Sequence, residues 1–226
     1  MIKYIYPILL LALVWGLLRV LRQLRRQTSN QLEEILYIQN DVDLYLKLLM
    51  NPRLGFIYRK STLLIFRLNG LLIGGNHRDI LSTIQQLDGL VLTQGERLEV
   101  EGKKLSYFCE TQRAKEAKES LDKIEILLAK SKSSRRRFLL EECGLIFAIY
   151  ILRDTTLLPE LEREVETQVG ARRTLTLYRI AKLQHFADDD KSANETLLKA
   201  KSNRSASVWD SIIDLAIQDP SILDRK

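Results

Sequence analysis

Two cysteines and two histidines are all that the 226 residues offer for thiolate or imidazole chemistry. Cys109 and Cys143 share no short spacing, and His77 and His185 stand far apart with no cysteine or carboxylate at the intervals metal sites use. No metal site is predicted, and both thiols read as reduced core residues. A glycine-rich phosphate loop is missing too: Gly70, Gly74 and Gly75 sit at the end of a helical pattern rather than between a strand and a helix. Asp188, Asp189 and Asp190 resemble the opening of a calcium loop, yet neither its central glycine nor its closing glutamate follows, so helix capping is their expected task. No catalytic residue, cofactor or small-molecule substrate is expected, and the chain is read as non-enzymatic.

Sustained alternation of apolar and polar residues is also absent, and only four prolines and ten glycines interrupt a composition dominated by Leu, Glu, Lys and Arg. The expected fold class is all-α. An excess of charge is lacking as well once the net +6 is divided, because residues 1–26 hold Lys3 and four arginines without an acid. What remains is close to neutral, and no nucleic-acid partner is expected. Its one dense basic spot, Arg135, Arg136 and Arg137 with Lys130 and Lys132, reads as a solvated helix start or loop.

What the chain does have is an apolar beginning. Residues 4–18 carry no charge and are followed by Arg19, Arg22, Arg25 and Arg26. As a helix they cover roughly 22 Å of a ~30 Å hydrocarbon layer, and Val20 and Leu21 extend this to roughly 27 Å if Arg19 snorkels. Tyr4, Tyr6 and Trp15 have rings suited to the interface. A secretory signal would carry its charges before the apolar run, and an interfacial helix would show a polar face. The expectation is a single transmembrane span with the C-terminal part on the cytoplasmic side of the cell membrane, held there by the arginines.

After a polar joint at residues 27–30, Asn30 can cap a helix over residues 31–50, with Glu33 as reciprocal partner. Helix pairs follow: residues 56–74 and 77–88, with Asn76 as cap; 96–109 and 113–130; 134–152 and 156–169, with Pro159 in the first turn and Gly170 as the stop; then 177–200. Ser207 can cap a last helix carrying Val208, Trp209, Ile212, Ile213 and Ala216. The expected divisions are an anchor over 1–26, a linker and helix over 27–53, paired helices over 54–202, and a capping helix and tail over 203–226.

In the last pair, Ala181, Ala193, Leu197 and Ala200 follow one another in the order and spacing that let two helices touch, and this stretch resembles a tetratricopeptide repeat. Aligned on the same second-helix position, Ile80, Ala117, Leu157 and Ala193 stand 37, 40 and 36 residues apart, against about 34 in that family. The small first-helix residue is replaced by Leu68, Leu105 and Leu145, and the helix-ending proline is missing. The resemblance implies a degenerate α-solenoid of antiparallel helix pairs whose first helices line a groove. Carried onto this chain, the groove positions are Ile65, Asn69 and Leu72; Glu142, Ile146 and Ile149; and Tyr178, Lys182 and His185. They are mostly apolar, which suits an amphipathic helix, from a protein partner or from residues 31–50, better than an acidic peptide terminus. The resulting expectation is a membrane-tethered scaffold or adaptor for a protein or peptide partner. Its rival is a receptor or chaperone-like component of protein targeting or translocation.

Overall fold

A computed structural model of the protein describes residues 2–129, 133–203 and 209–224; the side chains of residues 2–13 and 209–211 fall outside that description. The described residues are helical and contain no strand, as the composition predicts. They form two compact units, Met1–Val100 and Glu101–Lys226.

The first unit begins with α1 (Ile2–Glu33), which continues into a π-helical turn, Glu34–Ile38. Then come α2 (Val42–Leu49), α3 (Leu54–Ile57), α4 (Lys60–Gly74), α5 (His77–Asp88) and the start of α6 (Gln94–Glu110). The polar joint expected at residues 27–30 does not exist, and Asn30 lies inside α1 instead of capping a new helix. Burial outweighs polar composition here. Continuing the helix brings Leu32 and Leu36 into a cluster with Tyr45, walled by Ile35, Val42, Leu46, Leu49 and Phe66. The helix expected over residues 31–50 is broken instead at Asn40, which takes φ 53°, and Asp41 caps α2 by accepting from the Leu44 amide at 2.9 Å.

The helix expected from Phe56 also divides, because Tyr58 is extended between α3 and α4. Asn76 caps α5 as predicted, accepting from the Asp79 amide at 3.0 Å. Thr93 and Glu96 form a reciprocal capping box: the Glu96 amide donates to Thr93 Oγ1 at 3.2 Å and the Thr93 amide to Glu96 Oε2 at 2.9 Å. That box starts α6 two residues earlier than expected. Among the described residues no helix is long and apolar enough to cross a membrane, so the single transmembrane span finds no support in the described helices.

The second unit takes up the end of α6 and adds α7 (Ala114–Leu128), α8 (Ser134–Phe147), a π-helical turn (Ala148–Leu152), a 3-10 turn (Thr155–Leu157) and α9 (Leu158–Thr167). It closes with α10 (Gly170–Phe186), α11 (Asp190–Ser202), α12 (Trp209–Gln218) and a 3-10 turn, Pro220–Asp224. The hairpin predicted from Ala181, Ala193, Leu197 and Ala200 is present as α10 and α11, with all four residues at most 2% exposed in one cluster with Leu161, Leu177, Ile213 and Leu223. Gly170 is not the stop of α9. With φ +61° it opens α10, and α9 rests against that helix. Lys130, Lys132, Ser207 and Val208 lie outside the described residues. From Ile213 onward α12 buries Ile213 and Ala216 completely, which suits a terminal cover over α11.

Candidate functional site

The long helix α10 carries charged side chains on two faces. On one, α8 stands opposite α9 and the first half of α10 across a groove of two adjoining hollows of 270 and 370 Å³. Phe138, Glu142, Glu164 and Arg172 line both. Leu145, Leu157, Leu161 and Leu175 add apolar surface.

Two charged pairs organise this groove. Arg179, 6% exposed, donates to Glu142 at 3.0 Å, and Arg172 donates to Glu164 at 2.9 Å while lying 5.4 Å from the Phe138 ring centre. Gln168, 8% exposed, donates its amide to Glu164 at 2.8 Å and leaves its carbonyl oxygen unpaired. Phe138 is 47% exposed at the rim. The lining is mixed rather than mainly apolar, since Glu141 and Glu160 add two further carboxylates to the first hollow and Thr176 a hydroxyl to the second.

On the other face Lys182 is 1% exposed; its ammonium donates to the carbonyl of Leu223 and lies 4.7 Å from the Tyr150 ring centre and 5.2 Å from that of Phe186. Burial pushes its pKa down to about 8; Arg153 acts the same way, and Asp224 and Glu110 oppose it. His185 bridges Asp190 through Nδ1 at 2.5 Å and Asp224 through Nε2 at 3.0 Å. Burial works against the charged imidazole, but its hydrogen bonds to the two carboxylates outweigh this and raise the pKa. Arg153 adds a 3.7 Å contact to Asp224. The Pro220–Asp224 turn covers Lys182, so the lysine fastens this turn and offers no open amine.

The predicted groove residues therefore separate. Ile65, 3% exposed, is core of the first unit, and Asn69, half-buried in α4, leaves Oδ1 unpaired and shielded from solvent. In the second unit Glu142 reaches the groove, Ile146 is half-buried beside it on α8, and Ile149 and Tyr178 are core. Lys182 and His185 meet their own chain's last described turn. Phe138, Gln168, Arg172 and Arg179 were not anticipated. A detectable signal was the seven-residue interval between Arg172 and Arg179, which places two guanidiniums on one face of a helix.

Of the expected anchor residues, Trp15, Arg19, Arg22, Arg25 and Arg26 are all exposed on α1, with Arg19 5.5 Å from the Trp15 ring centre. Tyr4 has its side chain outside the described residues. Among the described residues no group of three His, Cys, Asp or Glu is placed to hold a metal ion. Cys109 and Cys143 are free and buried. No protein-family model matches the chain, nor does any curated protein or solved structure.

Proposed function

We propose that this protein is a membrane-tethered, non-enzymatic scaffold that captures a segment of a protein partner in the groove between α8, α9 and α10. The observation that carries the reading is the uncovered surface of α1. Val14, Trp15, Leu17 and Leu18 before Arg19, and Val20 and Leu24 among the arginines, are all exposed, so α1 carries uncovered apolar side chains up to and into its basic stretch. An apolar helix without a protein cover finds its favourable environment in lipid. In this reading α1 is a single-pass anchor in the cell membrane, the arginines keep the rest on the cytoplasmic side, and the paired helices are a degenerate tetratricopeptide-like array. Tethering raises the effective concentration of the groove toward other membrane-bound proteins.

The test uses the full chain in cells. Alkaline extraction should leave it in the membrane fraction, and a photo-crosslinker at Phe138 should capture one folded protein, with loss of capture in an Arg172→Glu variant. Release into the soluble fraction would overturn the tether. A spread of unfolded or presequence-like segments at Phe138 would favour a targeting or translocation receptor instead.

A further inference from the structure

Acidic residues are absent from two stretches of the first unit, residues 1–32 and 44–78. The fold ties these stretches together. Arg25 donates from Nε to the Ile57 carbonyl at 2.7 Å, and Tyr58 donates from its hydroxyl to the Arg25 carbonyl at 2.6 Å. Ser29 adds a 3.1 Å hydroxyl contact to Tyr58. The short helix α3 is thereby pinned to α1 at the level of its last arginines. It presents Phe56 at 88% exposure, and Arg53, Arg59 and Lys60 are exposed around it. Glu96 acts on this cluster, its pKa lowered first by the Ser61 hydrogen bond and least by Arg59.

The position along α1 decides what this cluster meets. If the hydrocarbon ends near Leu21, Arg25 lies roughly 6 Å further along the helix axis, within a headgroup layer about 5–7 Å thick. An exposed aromatic ring among cations at that depth matches an acidic bilayer surface: the ring enters the interface and the cations pair with anionic headgroups. Phe56 is left uncovered by the protein, and residues 44–78 carry basic side chains without an acid, so the stretch that bears it is net positive toward an anionic surface.

We propose that α3 is a second membrane contact, in which Phe56 with Arg53, Arg59 and Lys60 docks onto the headgroups of an anionic bilayer beside the arginine collar of α1. This rests on the tether reading, and it adds that the first unit is held in one orientation against the lipid rather than swinging from a single helix. Each basic residue near such a surface contributes roughly a five-fold preference for acidic over neutral lipid.

The experiment places an environment-sensitive fluorophore on a Phe56→Cys variant of the full chain; Cys109 and Cys143 are buried and their thiol pKa values raised, so the new thiol is the reactive one. The protein is reconstituted with phosphatidylcholine vesicles, with or without phosphatidylserine. A blue shift with a several-fold rise in emission is expected on the acidic vesicles, and R53E/R59E should abolish that increment while leaving the chain vesicle-bound. Flotation with the vesicles but a water-like spectrum on both would overturn this proposal alone. Failure to float with either would overturn the tether and this contact together. An equal shift on a DNA duplex without vesicles would overturn the assignment to lipid.

Discussion

Lys182 donates to the main-chain carbonyl of Leu223, which fastens the middle of α10 to the Pro220–Asp224 turn inside an enclosure of Tyr150 and Phe186. The lysine pKa is about 8 when folded, against an ordinary 10.5. The unfolded chain therefore binds the proton more tightly. The stabilising contribution is complete above the unfolded value and is lost as pH falls through about 8. The difference in urea-unfolding free energy between the wild type and Lys182→Met should shift in favour of the wild type by about 1.5 kcal/mol between pH 8 and about 9.5. The raised thiol pKa values of Cys109 and Cys143 act in the opposite direction within this window but are common to both proteins, and the window ends below the range of Tyr150.

His185 has the reverse sign. Its folded pKa lies above 6.5 because the bonds it donates to Asp190 and Asp224 overcome burial, so its contribution is complete below the unfolded value and disappears as pH rises through the folded one. Asp224→Asn should lower the imidazole pKa seen by NMR titration of its ring protons. His185→Gln should lose more stability in mildly acidic than in alkaline buffer. An unchanged titration in Asp224→Asn would show that the Pro220–Asp224 turn does not hold the ring.

Tyr45 covers Gly70 where α2 crosses α4. A Cβ at position 70 would stand 2.7 Å from the tyrosine ring, and the Tyr45 hydroxyl is already committed to the Phe66 carbonyl at 2.8 Å. Gly70→Ala should destabilise the first unit by about 1–3 kcal/mol despite the better helix propensity of alanine. Denaturant midpoints of the two proteins check this.

The same contrast between local signal and tertiary contact explains what the sequence disclosed. Caps at Asn76 and Asp189 were legible because one side chain and one amide three residues on make the whole interaction. Asn30 had the same local pattern, yet burial of Leu32 and Leu36 carried the helix through it. The α10–α11 hairpin was legible because Ala181, Ala193 and Ala200 must be small where two helices touch. The candidate groove was mostly not legible, since Phe138 and Arg172, or Glu142 and Arg179, meet across thirty or more residues and no periodicity encodes such a meeting. Lys182 and His185, read from the sequence as groove residues, bond Leu223 and Asp224 of their own chain, a long-range meeting that no local pattern encodes.

Helix ends were hardest to place because this chain often stops its helices without glycine or proline. Asn40, Gln112, Arg153 and Asp188 all take φ between 52° and 60°. Such a conformation costs a side-chain-bearing residue roughly 1–2 kcal/mol, which glycine largely avoids. Asp188 gives the cleanest test, because it is exposed between α10 and α11 and its backbone amide bond to the His185 carbonyl at 3.0 Å survives substitution. Arg153 would confuse the result, since its guanidinium also lies 4.4 Å from the Phe186 ring centre. Asp188→Gly should stabilise the second unit by up to about 1 kcal/mol after the greater unfolded-state freedom of glycine is deducted. A variant that is less stable by thermal and urea unfolding would mean that the Asp188 carboxylate supports the start of α11 more strongly than its neighbour Asp189, which alone accepts from the Ser192 amide.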